Sequence, residues 1–241
     1  MDYIKPKVTI VTVCYNAERD IEATLLSVTG QTYTNIEYLI IDGGSTDHTC
    51  DIIQKYSERT DYFISEPDRG VYDAMNKAVA IAKGEWILFM NSGDTFFSND
   101  TVSVVFDRIV DDDTGVIFGD TVFAEGDKHT IIRYGDMRTH SVMPSCHQSI
   151  FCRTCLLRKY PFNLKYKFAS DYDLFYRLKC AGVRMLYIET VVAVYDASRG
   201  LSQENELIVR KERFRCSNSL PLFIIKYFWF RFKRIIVRFI R

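Results

Sequence analysis

Four times within the first hundred residues a short apolar run ends in a polar turn, and three of those turns lead into apolar residues at helical spacing. The runs are residues 8–14 (Val-Thr-Ile-Val-Thr-Val-Cys), 36–41, the weaker 61–65, and 86–90. A β-branched run without alternating polarity is the pattern of a strand covered on both faces. Between the runs, Ile21, Leu25 and Val28 mark a helix over 18–28. Ile52, Ile53 and Tyr56 mark a second that Thr46 or Asp47 can cap, and residues 71–83 form a third closed by Gly84. This βαβαβαβ series predicts an α/β fold with an open, mostly parallel central sheet and helices on both faces. Past residue 98 the pattern loosens. Strands are expected near 116–123, 130–134, 147–151, 185–188 and 191–195, around a helix over 171–181.

Ligands of such sheets sit beyond the carboxyl ends of the strands. There the chain places Cys14-Tyr15-Asn16, Asp42-Gly43-Gly44, Glu66-Pro67-Asp68-Arg69-Gly70 and Asn91-Ser92-Gly93-Asp94. None is a Gly-x-x-x-x-Gly-Lys-Ser/Thr loop, and no Gly-x-Gly-x-x-Gly follows the first strand, so ordinary NTPase and dinucleotide sites lose their support. What the crevice holds is carboxylates: Asp42, Asp68 and Asp94. They would repel a nucleotide diphosphate unless a divalent cation lay between, and Mg²⁺ or Mn²⁺ held by hard oxygens and completed by substrate phosphates meets that need. Strand-end Asp residues also make turns and cap helices, and for each one alone that reading stays open.

Taken in order, residues 8–16, Ile41-Asp42-Gly43-Gly44-Ser45-Thr46-Asp47, Asp68-Arg69-Gly70-Val71-Tyr72-Asp73-Ala74-Met75-Asn76-Lys77 and Asn91-Ser92-Gly93-Asp94 resemble the successive motifs of family 2 glycosyltransferases. The nearest likeness is to the bacterial branch that builds O-antigen, capsule and exopolysaccharide, over roughly residues 7–200. The resemblance implies a GT-A fold, a UDP-sugar donor in the crevice and inverting transfer to an acceptor hydroxyl. It implies that Thr12, Cys14, Tyr15 and Asn16 surround the nucleobase and that Asp42 takes hydrogen bonds from it. Asp68, Arg69, Gly70 and Asn76 would lie along the nucleoside and donor sugar, beside Asn91, Ser92 and Gly93. Asp94 matches the last carboxylate of the family's D-x-D-type metal motif, whose earlier acidic positions are here Asn91 and Gly93.

A second chemical segment is Phe168-Ala169-Ser170-Asp171-Tyr172-Asp173. From the residues alone, Ser170 or Asp171 caps the helix that follows. By resemblance, Ser170 lies in the acceptor or donor pocket and Asp171 is the catalytic base. One base suffices, because the acceptor hydroxyl loses a proton as it attacks while the leaving diphosphate is neutralised by the cation. His147-Gln148 resembles the family's pocket-lining segment. Cys146, His147, Cys152 and Cys155 match no closed four-ligand zinc spacing.

The formal charge of zero, 31 basic against 31 acidic residues, hides a division. Residues 1–206 carry 21 basic and 30 acidic side chains, whereas 207–241 carry ten basic ones and Glu212 alone. The expected organisation is a glycosyltransferase domain over 1–206, its nucleotide-sugar half about 1–98 and its acceptor half about 99–206, followed by a basic membrane-associating tail. Wound as a helix, residues 222–241 place their six basic side chains within roughly 160°, opposite an aromatic and aliphatic face. Such a helix lies in a bilayer interface against anionic headgroups and is too charged to span. A polyprenyl-diphosphate-linked glycan is the acceptor that this position and the resemblance imply. Nucleic acid is disfavoured, since no basic, aromatic-studded sheet accompanies the tail. The first residues lack a secretory layout, and the odd count of seven cysteines suits a reducing compartment, so the expected location is the cytoplasmic face of the inner membrane. Two competing readings are a catalytically silent membrane-bound scaffold that has lost carboxylates at Asn91 and Gly93, and a nucleotidyltransferase. The second lacks its glycine-rich triphosphate loop.

Overall fold

Every residue of the first strand, β1 (Val8–Cys14), is buried, as the unbroken β-branched run requires. The computed structural model describes residues 5–107, 111–135, 142–197 and 205–217. β1, β2 (Ile36–Asp42), β3 (Tyr62–Ser65) and β4 (Trp86–Phe89) pair in parallel in the order β3-β2-β1-β4. Alternate side chains of β1 divide the core. Val8 and Ile10 join Ile21 and Leu25 of α1 (Ile21–Thr29), Ile53 of α2 (Thr49–Gln54) and Phe106 of α4 (Thr101–Phe106). Val11 and Val13 join Met75 of α3 (Val71–Ile81), Leu157 of α5 (Thr154–Lys159) and Leu174 of α6 (Ser170–Cys180). Each such side chain contributes about 1.5–3 kcal/mol on full burial, so both faces of the sheet must be covered at once.

Beyond β4 the nine-stranded sheet becomes mixed. β8 (Ile150–Arg153) runs antiparallel to β4 and to β6 (Thr114–Glu125). β9 (Arg184–Asp196) lies parallel to β6, and the short β5 (Thr95–Phe96) and β7 (Lys128–Ile132) pair antiparallel to β9 and β6. These directions bring the start of β8 and the end of β9 to the edge where β1–β4 end. That edge holds the site.

Several expectations shift. Residues 147–151 are not one strand: His147–Ser149 form a 3₁₀ turn before β8, because Gln148 and Ser149 bury polar side chains that need partners off the ladder. The segments 185–188 and 191–195 fuse into β9, whose register against β6 jumps from Tyr187 to Val191 across a bulge. α1 starts at Ile21 rather than 18, and α2 starts at Thr49, with Asp47 Oδ1 accepting from the Thr49 N–H at 3.0 Å. α3 ends at Ile81, since Ala82 is already extended. Gly84 serves a close approach instead of a helix end: a Cβ there would sit 2.5 Å from the Thr9 backbone nitrogen. α4 and α5 had no sequence expectation.

Residues 206–217 form a helix, α7 (Glu206–Ser217), that packs on α6 and buries Val209, Glu212 and Cys216. The first turns of the basic segment therefore belong to the globular unit. The proposed interfacial helix over 222–241 lies outside the described residues. No helix among the described residues is long and apolar enough to cross a membrane.

Candidate active site

Several residues of the expected nucleobase pocket have partners within the protein. Thr12 is fully buried and shares a hydrogen bond with Tyr38 Oη at 2.9 Å. Asp42 is equally buried and spent on its own turn: it accepts from Gly44 N (3.0 Å), Ser45 N (2.8 Å), Ser45 Oγ (2.5 Å) and Ser65 Oγ (2.6 Å). Burial pushes its carboxyl up, but these hydroxyl and amide donors and the Cys14 thiol hold it below the usual range. Cys14 is buried against it, Sγ to Oδ1 3.5 Å. Asp42 thus shapes the turn, both of its carboxylate oxygens accepting from groups of the protein itself. Asn76 departs from expectation too. Its amide donates to Phe162 O at 2.9 Å and accepts from Phe162 N at 3.0 Å, tying α3 to the segment before α6.

What the edge does expose is Tyr15, at 62% of its surface, beside Asn16, which takes a left-handed φ of 48° and accepts from Thr46 N. Asp68 lies against this pair. Its Oδ1 accepts from Gly70 N at 2.7 Å, and its Oδ2 stands where a Gly43 Cβ would be, 2.7 Å away, with the Tyr15 ring at 3.4 Å from the same point. Only glycine at 43 lets that carboxylate approach. Arg69 is paired with Asp73 at 2.7 Å, and within α6 Arg177 Nε donates to Asp173 Oδ2 at 2.8 Å.

The chemical centre lies at the ends of β4, β9 and α6. Asp171 is the second residue of α6. It is not the cap, because Ala169 occupies that position and makes no side-chain cap. Asp171 Oδ1 accepts from Tyr72 Oη at 3.1 Å and from Tyr172 N at 2.7 Å, while Oδ2 faces His147 Nδ1 at 3.6 Å. Burial raises its carboxyl, but His147, the Tyr172 N–H and Arg213 outweigh that and keep it below the usual range. Asn91 Nδ2 lies 2.9 Å from His147 Nε2, so the ring stands between the Asn91 turn and Asp171.

The neighbouring Gln148 serves the other acid. Its Nε2 donates to Asp94 Oδ2 at 2.7 Å, and Asp196 N donates to Oδ1 at 3.1 Å. Asp94 is 5% exposed, and burial pushes its carboxyl up to about 6 despite these donors and His147. Ser92 and Gly93 complete the turn through Ser92 N to Val13 O and Gly93 N to Thr24 Oγ1. Two oxygens here are left over: Asn91 Oδ1 and Ser170 Oγ are buried without a hydrogen-bond partner. A desolvated carboxylate with neutral partners and an orphaned amide oxygen on one turn suit Mg²⁺ or Mn²⁺. Among the described residues no three His, Cys, Asp or Glu side chains gather to hold an ion. Tyr72, Asp196 and Arg213 escaped the sequence reading, since only the fold brings them to the edge.

Residues 9–178 match the family described as "Glycosyl transferase family 2". A PGL/p-HBAD biosynthesis glycosyltransferase of Mycobacterium bovis is 32% identical over 219 residues, covering 86% of this chain and 82% of that protein. The Escherichia coli UDP-Glc:alpha-D-GlcNAc-diphosphoundecaprenol beta-1,3-glucosyltransferase WfaP is 30% identical, covering 91% and 87%. Among solved structures, Staphylococcus aureus TarS 1-349 in complex with UDP-GlcNAc superimposes with a TM-score of 0.70 at 19% identity over 87% of this chain. A Pyrobaculum calidifontis mannosyltransferase in complex with GDP-Man and Mn²⁺ gives 0.69 at 19% over 86%. This chain spans 64% and 62% of those two solved chains. The sheet and its edge are those of the GT-A fold, and with a match across most of its length the chain belongs to glycosyl transferase family 2.

Proposed function

We propose that this glycosyltransferase moves a sugar, with inversion, from a UDP-sugar to a hydroxyl of a polyprenyl-diphosphate-linked glycan in surface polysaccharide synthesis. One observation carries the reading: the dipeptide His147-Gln148 ties together two acids of opposite character, Asp171 held low and Asp94 pushed up. Environments that drive two carboxyls apart assign them different tasks. Asp171, anionic at neutral pH, takes the acceptor proton as the hydroxyl attacks the anomeric carbon from the face opposite the leaving diphosphate. Tyr72 and His147 aim it. Asp94, with Asn91 Oδ1, would hold Mg²⁺ or Mn²⁺, which supplies charge neutralisation for the departing diphosphate. The nucleobase would lie between Tyr15 and Asp68, a reading supported by the exposed Tyr15 ring and the approach of Asp68 Oδ2 to Gly43. The donor and acceptor classes draw support from the names of the Escherichia coli relative and the TarS complex.

The test is UDP release with individual UDP-sugars and a lipid-diphosphate-linked N-acetylglucosamine acceptor. One donor should give acceptor-dependent release that stops in excess EDTA. Silence across the panel would favour the inactive scaffold, and full turnover in EDTA would remove the cation from Asp94.

Membrane attachment through residues 222–241 belongs to the same proposal. Deleting them should move the protein from the vesicle pellet to the supernatant, with UDP affinity retained. A truncated protein that still sediments with anionic vesicles overturns it.

A further inference from the structure

We propose that Glu212 of α7 is a positioning residue for Asp171, so that the helix opening the basic tail is a working part of the active site. The proposal rests on the reading of Asp171 as the base. Glu212 is 7% exposed, and its carboxylate accepts three consecutive backbone N–H groups: Lys167 to Oε1 at 2.9 Å, Phe168 to Oε2 at 2.8 Å and Ala169 to Oε2 at 3.0 Å. Ala169 is the N-cap of α6, and Asp171 follows two residues later.

A helix start leaves backbone donors without intrahelical partners, and a local Ser, Thr, Asp or Asn usually serves there. α6 has no such local cap. Here a carboxylate 43 residues downstream of the cap residue holds that residue's own N–H and those of the two residues before it. An anion also suits the positive end of the helix dipole. Burying a carboxylate is costly unless it is hydrogen-bonded, and three amide donors meet that cost. The same helix grips the turn at two further points. The Arg213 guanidinium lies 5.6 Å from the Tyr172 ring centroid, and Cys216 Sγ lies 3.9 Å from Ala169 O. The backbone just before Asp171 and the residue just after it are therefore both held by α7.

Asp171 meets Tyr72 from α3 and His147 from the turn before β8, at 3.1 and 3.6 Å. Those contacts exist only while the first turn of α6 keeps its place, and a misplacement of about 1 Å can cost on the order of 10²-fold in rate. Glu212 is also the single acid in the 35-residue basic segment. A solvated basic face has no use for it, whereas a clasp on three amides does.

The experiment uses the full chain. Glu212→Gln and Glu212→Ala are compared with Ile53→Val, a core change on the far side of the sheet. UDP affinity is read by calorimetry, and kcat and donor KM are measured well below each Tm. Glu212→Ala should lower kcat by about 10²-fold, and Glu212→Gln, which keeps one acceptor oxygen, by roughly tenfold, with UDP Kd and donor KM within about twofold. Amide exchange at 167–169 should quicken in the same order. An unchanged kcat in a folded Glu212 variant overturns the proposal. So does a loss no larger than that of Ile53→Val at equal Tm. If Glu212→Ala fails to fold, Glu212→Gln decides alone. Asp171→Asn is run beside them: full activity there overturns the base assignment, whereas its inactivity beside a normal Glu212→Ala overturns the clasp only.

Discussion

Asp171→Asn is expected to bind UDP and the donor as the wild type does while kcat falls by about 10²–10⁴-fold, the usual worth of a positioned base. Asparagine keeps an oxygen for Tyr72 Oη and the Tyr172 N–H, so the geometry of the turn persists and only basicity is lost. The pH profile of the wild type tests the same residue. Asp171 is held below the ordinary carboxylate range, so it stays ionised as pH falls through that range. The acidic limb of kcat should therefore lie below the usual carboxylate range, with activity lost only as pH drops through the lowered value. The same depression means the ionised form stabilises the fold, a contribution present at neutral pH and lost on acidification. A folded Asp171→Asn enzyme working within a few-fold of wild type would leave the proton without a destination and sink the mechanism.

Asp94→Asn should behave in the opposite sense for stability and the same sense for turnover. With no cation bound, the folded state disfavours ionised Asp94, whose carboxyl is pushed up to about 6 by burial. A carboxyl raised on folding penalises the native state as pH climbs through its unfolded value, and the penalty is complete above the folded one. A rise of about two units corresponds to roughly 3 kcal/mol as an upper bound. The neutral isostere removes that penalty, and Gln148 can turn its amide to offer an oxygen. In EDTA the variant should be more stable than wild type by about 1–3 kcal/mol at pH 7.5, with the gap closing below pH 4. Transfer should fall at least about 10²-fold, because a cation at the leaving diphosphate is worth several kcal/mol. Calorimetric melting across pH reads the first effect and UDP release the second. A variant both less stable at pH 7.5 and fully active would remove Asp94 from the site.

The parallel half of the fold was legible because burial on both faces leaves polar residues nowhere to collect but strand ends. That logic also pointed to Asp94, and the resemblance to the family added Asp171, His147 and Gln148; the structure brings the four together. It could not separate a polar group facing a ligand from one facing its own backbone. Thr12, Asp42 and Asn76 look like site residues in sequence and prove to be partners of Tyr38, the Gly44-Ser45 turn and Phe162. Tyr72 was hidden for another reason: it meets Asp171 across 99 residues, a distance no local pattern spans. Asp196 reaches Asp94 only because β9 pairs with both β5 and β6, a nonlocal choice. Glu212 did leave a trace, as one acid among ten basic residues, but charge counting alone reads it as surface.

The way α7 lies on α6 also bears on how such enzymes exchange parts. The sign of the charge changes near residue 206, which invites a cut there, yet the helix from Glu206 to Ser217 carries the carboxylate that ends the backbone before Asp171. A natural recombination or an engineered graft joined at 206 would pair one enzyme's catalytic helix with another's clasp. Joined after Ser217, the two would travel as a unit.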